Sequence, residues 1–239
     1  MNTASLTAVI ASVATAGAAS ADFVSPDSFG WSRGTDNSFY AEWDFFESPT
    51  GGNLPDVGQF PSTLPSGWTT PDVVETSGTS FVTSGGNIYS FSAATEFEVT
   101  IPSYGPQNGL RDRSSGTTVL VQARTLGNEM DYESMRIGGF DPVEIVELNR
   151  DAVGGTFGGT LVDTLFRFEI PDSRNEYLIE FEAIASSMSL DRLSIDTLTF
   201  DTLRIAQSDA VRVFGPVPSP GTATAAAALL AMGGVRRRR

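Results

Sequence analysis

The chain has 239 residues and a formal net charge of −14, and it contains neither cysteine nor histidine. It therefore has no disulfides, no thiolate zinc site and no Ser-His-Asp or Cys-His catalysis. Its acidity also excludes nucleic acid as a partner, because binding to phosphates needs the opposite charge.

The N-terminus has the pattern of a secretory signal peptide. An apolar stretch over residues 6–14 is followed by Ala19-Ser20-Ala21, which satisfies the small-x-small rule for cleavage before Asp22. We therefore expect a signal peptide over residues 1–21, cleavage by signal peptidase, and export of the protein.

The strongest catalytic pattern is Glu42-Trp43-Asp44-Phe45-Phe46-Glu47. It resembles the Glu-x-Asp-x-x-Glu motif of jelly-roll glycoside hydrolases that cleave β-glucans and galactans. The resemblance implies that Glu42 is the nucleophile, that Asp44 orients it, and that Glu47 is the general acid/base. In such retaining enzymes the two carboxyl groups lie about 5 Å apart.

Strand alternation offers a different interpretation of the same segment. A regular strand would point its apolar residues inward and Glu42 and Asp44 outward, and would send Glu47 to the opposite face unless a bulge intervenes. The apolar residues expected inside are Phe39, Ala41, Trp43 and Phe45. We favour an ordinary amphipathic strand with an acidic outer face and keep the hydrolase as the alternative.

Most of residues 22–215 reads as β-structure separated by glycine-rich turns. Residues 95–101, 163–170 and 177–183 alternate between apolar and polar positions, and residues 117–126 form a more buried run. Five prolines make residues 48–80 unsuited to central strands, and this segment is expected to be a surface excursion. Residues 141–149 fit either a short helix or a strand. The prediction is an all-β domain, an antiparallel two-sheet β-sandwich of the jelly-roll type.

Three related pentapeptides begin at Asp191, Asp196 and Asp201. They are expected to form one or two late strands with a bulge, and Leu193, Ile195, Leu198, Phe200 and Leu203 should supply core. The first of them, residues 190–196, resembles the closing strand of lectin-like and carbohydrate-binding jelly rolls. Asp191 and Asp196 are weak candidates for ligands of a structural Ca²⁺, although solvated carboxylates are the simpler interpretation.

Aromatic side chains could stack on sugar rings if they are exposed. The residues considered for this role are Trp31, Trp43, Trp68 and Tyr104. Strand parity places Trp43 in the core, whereas Trp68 lies in a Pro/Gly-rich segment and is the better candidate for an exposed contact.

The last 24 residues, 216–239, have the layout of a membrane-sorting tail. Pro218, Ser219 and Pro220 precede an uncharged run over residues 223–235, and the chain ends in Arg236, Arg237, Arg238 and Arg239. As a helix the run would reach only about 20 Å, less than the roughly 30 Å of a hydrocarbon core, so anchoring should be transient. The arginines would stay on the cytoplasmic side.

This tail resembles the PEP-CTERM sorting signal of proteins exported by Gram-negative-type bacteria. The usual central Glu of the Pro-x-Pro motif is replaced by Ser219. The resemblance implies recognition by an exosortase-type enzyme, removal of the tail, and delivery to the cell surface, outer membrane or extracellular matrix.

These patterns together predict an exported, non-catalytic protein that is structural or glycan-binding. Signal peptidase and a sorting enzyme are its expected partners, extracellular polysaccharide is a candidate ligand, and Ca²⁺ is the only cofactor considered. The alternative is a secreted glycoside hydrolase that uses Glu42 and Glu47.

Overall fold

A computed structural model describes residues 23–59, 69–103, 115–154, 158–172 and 174–201. The predicted signal peptide, the predicted sorting tail, Trp68, Tyr104 and Leu203 lie outside these residues. Within them the chain forms two antiparallel β-sheets and one short 3₁₀-helix, η1, at Pro26–Phe29. The predicted all-β sandwich is confirmed.

The strands follow the chain in twelve segments. They are β1 Ser38–Trp43, β2 Val57–Gln59, β3 Asp72–Glu75, β4 Phe81–Val82, β5 Ile88–Tyr89, β6 Glu96–Pro102, β7 Ser115–Gly127, β8 Met130–Ile137, β9 Glu144–Ala152, β10 Thr160–Ile170, β11 Glu176–Ala183 and β12 Met188–Asp201.

Eight of the strands form sheet A and four form sheet B. Sheet A runs β2-β1-β12-β7-β10-β9, with β5 also on β12 and β4 on β5, and sheet B runs β3-β6-β11-β8. The chain passes between the sheets at every connection except β1 to β2, β4 to β5 and β9 to β10, and the early strand β1 lies beside the last strand β12. Consecutive strands therefore mostly belong to opposite sheets of the sandwich.

The core lies between the sheets, where the inward positions of the strands meet. The alternation expected in β6, β10 and β11 is confirmed, because the apolar residues at every second position are almost completely buried. These residues are Phe97, Val99, Ile101, Phe166, Phe168, Ile170, Tyr177, Ile179 and Phe181. Period-2 hydrophobicity is therefore what positions both sheets.

One segment differs from its expected form, and another takes one of its two expected forms. Residues 48–80 contribute the edge strands β2 and β3, with Val73 fully buried, although Pro49, Pro55 and Pro71 lie outside the strands as expected. Residues 144–152 form a strand, which decides between the two possibilities left open for that segment.

The parity predicted after β1 is wrong at Phe45. The strand ends at Trp43, because the backbone N–H groups of Asp44 and Phe45 donate to the carboxylate of Asp56. Phe46 therefore packs in the core, whereas Phe45 is 51% exposed.

The bulge in the closing strand lies earlier than the pentapeptides suggested. The register of β12 against β7 shifts between Leu190 and Arg192. Leu193 and Ile195 remain in the core as predicted, but Leu198 packs in a second cluster on the other side of sheet A, and Phe200 is only half-buried.

That second cluster forms because residues 23–37, which we call the N-terminal strap, cross the outer face of sheet A. Phe29 and Trp31 of the strap pack on Leu120, Leu165 and Leu148 from three neighbouring strands. The backbone N–H of Val24 donates to the Gln122 side chain, and the Val24 carbonyl accepts from it. Sheet A is thus covered on both faces.

Candidate functional site

Glu42, the nucleophile of the hydrolase hypothesis, is a buried ion-pair partner. Its side chain is 8% exposed, and it accepts hydrogen bonds from Nε and Nη2 of Arg192, the former at 2.9 Å. The hydroxyl of Tyr40 donates to its other oxygen. The carboxylate therefore has donors on both oxygens and faces the protein rather than a groove.

The other two residues of that motif have different surroundings. Asp44 is exposed just after the end of β1, and the pKa of its carboxyl is raised by partial desolvation and by the neighbouring carboxylate of Asp56. Glu47 is exposed in the following loop, where its backbone N–H donates to Oδ1 of Asn53 at 2.9 Å. The structure groups Glu42 with Arg192 and Tyr40, not with Glu47.

Asp196, a candidate Ca²⁺ ligand, is also an ion-pair partner. Its side chain is fully buried and accepts from Nε and Nη2 of Arg33 at 2.7 and 2.9 Å. Burial raises the pKa of this carboxyl, and the Arg33 guanidinium offsets part of the rise. Arg33 in turn stacks on the Tyr40 ring, with its guanidinium carbon 3.4 Å from the ring centroid.

Asp191, the second candidate, lies at the bulge of β12. It accepts from Nδ2 of Asn87 at 2.7 Å, and burial raises the pKa of its carboxyl. Among the described residues, no group of three or more acidic side chains is arranged to hold a metal ion. Each of the two aspartates already has a protein donor.

These contacts belong to a polar network on the outer face of sheet A. Its third ion pair joins Arg124 to Asp163 at 2.7 Å, and Phe23 of the strap lies between Arg124 and Arg192. The outward positions of β7 and β12 mix polar residues, such as Gln122 and Asp196, with Leu120 and Leu198, and this mixture is only a partial sequence signal for the face. The partners, however, are up to 163 positions apart, and sequence alone did not pair them.

The tryptophans described by the structure are buried. Trp43 lies in the core and donates from Nε1 to the carbonyl of Asn53 at 2.8 Å, and Trp31 is buried between the strap, to which it belongs, and the outer face of sheet A. Neither is available to stack on a ligand.

Exposed aromatic rings instead lie on the hairpin of β4 and β5. The rings of Phe81 and Phe91 are stacked with centroids 5.6 Å apart, and Tyr89 makes edge contacts with both. Phe91 is 62% exposed and Phe81 is 42% exposed. We call Phe81, Tyr89 and Phe91 the aromatic hairpin.

The sequence signal for this surface is an absence of charge rather than a strand period. Residues 76–95 contain no charged side chain, in a chain with 29 acidic residues, and they combine three aromatic rings with many Ser, Thr and Gly.

The outer face of sheet B has the opposite character. Glu96 and Glu98 of β6 lie directly across from Glu182 and Glu180 of β11. These four carboxylates border a shallow groove of about 290 Å³. The groove is acidic and open to solvent.

Comparison with known proteins adds no assignment. No family model matches the chain, and no curated protein matches it. Of the helical segments that the structure describes, none is long and apolar enough to cross a membrane.

Proposed function

We propose that this chain is an exported, non-catalytic protein of the cell surface or extracellular matrix, with a structural or glycan-binding β-sandwich. Export is supported by the small-x-small site before Asp22 and by the Pro-x-Pro, apolar and arginine segments of the tail. Signal peptidase and an exosortase-type enzyme would process the two ends.

The observation that carries the non-catalytic part is the ion pair of Glu42. A retaining nucleophile must present a free carboxylate to the anomeric carbon, with the acid/base carboxyl about 5 Å away. Glu42 instead accepts from Arg192 and Tyr40 and is nearly inaccessible to solvent. Its role in this arrangement is to join β1 to β12 beneath the strap.

Export is tested by expressing the full chain in a Gram-negative host that carries an exosortase. We expect the protein in the surface or extracellular fraction, with a mass that fits a new N-terminus at Asp22 and loss of the tail. A variant lacking Arg236–Arg239 should keep the new N-terminus but retain its tail. Recovery of the unprocessed chain in the cytoplasm would overturn the proposal.

Catalysis is tested by incubating the full chain with β-glucans and galactans and measuring new reducing ends. No release is expected. Release that is abolished by Glu42→Gln, in a variant shown to be folded by circular dichroism, would establish the hydrolase instead.

A further inference from the structure

We propose that the aromatic hairpin is the glycan-binding site of this domain and that it takes the apolar faces of pyranose rings in a neutral polysaccharide. This inference rests on the glycan-binding form of the proposed function. We infer a neutral polysaccharide as the ligand from the exposure, the charge and the size of the aromatic hairpin.

The rings of Phe81 and Phe91 are exposed to solvent. Large aromatic side chains are normally buried, and contiguous exposed apolar surface marks an interaction site. Here Phe91 and Phe81 stack on one another with 27° between their planes, and the Tyr89 ring is roughly perpendicular to both. The result is a small aromatic platform at the side of sheet A.

The strand pairing of the hairpin holds the platform in place before any ligand binds. Phe81 and Tyr89 are directly opposite each other in the hairpin. Ile88, the residue before Tyr89, is fully buried in the core. Tyr89 and Ile88 also pair with Ser189 and Leu190 of β12. A preorganised surface loses little conformational entropy on binding.

The segment that carries the aromatic hairpin has no charged side chain. The uncharged stretch 76–95 sets the hairpin apart from the acidic groove of sheet B. A cationic partner would be attracted to the glutamates rather than to the hairpin, and a polyanion would be repelled by the net charge of the chain. A neutral ligand with one apolar face and hydroxyl groups at its rim matches an exposed ring with a polar neighbour, and Ser92, next to Phe91 in the chain, is exposed.

The size of the patch argues against a second copy of the chain as the occupant. A stable protein interface buries about 800 Å² on each partner. Three aromatic side chains bury about 150–250 Å² each when fully covered, and these rings are already partly buried. The platform fits one or two sugar rings better than a protein surface.

The test is a pull-down of the full chain with insoluble cellulose and insoluble β-1,3-glucan as the probes, and with alginate beads as a polyanionic probe. We expect retention on at least one neutral polysaccharide and little on alginate. Phe91→Ala should weaken retention by about tenfold, and Phe81→Ala with Phe91→Ala by more, because ring contacts are lost without a change in charge. Retention should change little between low and high salt.

Two kinds of control accompany these variants. Ile184→Ala and Leu54→Ala remove exposed apolar side chains elsewhere on the surface and should leave retention unchanged. Phe91→Tyr keeps the ring and should retain binding. Because Phe91 is mostly exposed, its truncation should not unfold the domain, and circular dichroism checks this.

The possible results distinguish failure of the aromatic hairpin as the site from failure of glycan binding itself. Equal retention of wild type and of the Phe81/Phe91 variants would overturn the site but keep a glycan-binding protein. Absence of retention on every polysaccharide would overturn both the site and the glycan-binding role. A concentration-dependent dimer in light scattering that Phe91→Ala dissolves would identify a second copy as the occupant and overturn the inference.

Discussion

Several of the buried carboxylates that the structure describes, Glu42 and Glu75 among them, accept hydrogen bonds from more than one donor. Glu75 is the clearest case, because its carboxylate accepts from the backbone N–H groups of Ser77 and Gly78 at 3.0 and 3.1 Å, and from the hydroxyl of Ser80 at 2.7 Å. Burial alone would raise the pKa of this carboxyl, but the hydrogen bonds from Ser77 and Ser80 outweigh it, and the pKa lies below its ordinary value. Glu75 thereby holds the loop that leads into the aromatic hairpin.

We expect Glu75→Gln to lower the free energy of unfolding by about 2 kcal/mol at neutral pH, since hydrogen bonds to a charged acceptor are lost. A carboxyl with a lowered pKa in the folded state stabilises the protein above its unfolded pKa, and this contribution is lost as pH falls through the folded value. The difference between wild type and variant should therefore shrink below about pH 4. Urea unfolding at several pH values measures it.

Glu47→Gln is the control for Glu75→Gln, because Glu47 is exposed and its change should have almost no effect. A wild type and Glu75→Gln variant of equal stability at neutral pH would contradict the anchoring role of Glu75.

At the scale of elements, the N-terminal strap gives sheet A a second hydrophobic layer. Phe29 and Trp31 cover outward residues of β7, β10 and β9 that would otherwise be exposed. The same strap brings Arg33 to Asp196 and places Phe23 near Arg192. The segment that follows the predicted signal peptide is thus an integral part of the fold.

Truncation of the strap's central ring should show this directly. We expect Trp31→Ala to cost about 3 kcal/mol of unfolding free energy, as is usual for a buried aromatic residue, and to increase binding of a hydrophobic dye. Chemical denaturation measures the loss, and Leu54→Ala, which removes an exposed side chain, should cost little. A loss below about 1 kcal/mol for Trp31→Ala would mean that the strap is only loosely attached.

The elements that sequence predicted well are those whose period is uninterrupted. The alternation in β6 and β11 runs without a break, so both strands and their buried faces were predictable. Prediction failed where the period is interrupted. The strand β1 ends before Phe45, where the Asp56 carboxylate accepts from the backbone, and a bulge at Asp191 changes the parity of β12. Pairing of Arg33 with Asp196 depends on tertiary structure and has no local signal.

At the scale of the whole molecule, the charge of −14 is unevenly placed. On the outer face of sheet B, Glu182 lies between Glu96 on one neighbouring strand and Asp131 on the other. Like charges directly opposite each other destabilise a sheet. This face therefore carries a repulsion that salt should relieve.

We expect Glu182→Gln to raise the free energy of unfolding by about 0.5 kcal/mol at low ionic strength, and by less at high salt, where the repulsion is screened. The matched control is Glu180→Gln, because Glu180 lies between Glu98 and Arg136 and its attraction and repulsion largely cancel. Thermal unfolding at low and high salt compares the two variants. Equal effects would contradict a repulsion between Glu182 and its neighbours Glu96 and Asp131.

We propose that this sandwich binds a neutral glycan without cleaving it, and both parts of the proposal can be measured in one assay. The full chain is mixed with insoluble neutral polysaccharide, and bound protein and reducing ends in the supernatant are measured in the same sample. We expect bound protein, no new reducing ends, and loss of binding in Phe91→Ala. Reducing ends that disappear in Glu42→Gln, or protein that binds none of the polysaccharides, would contradict it.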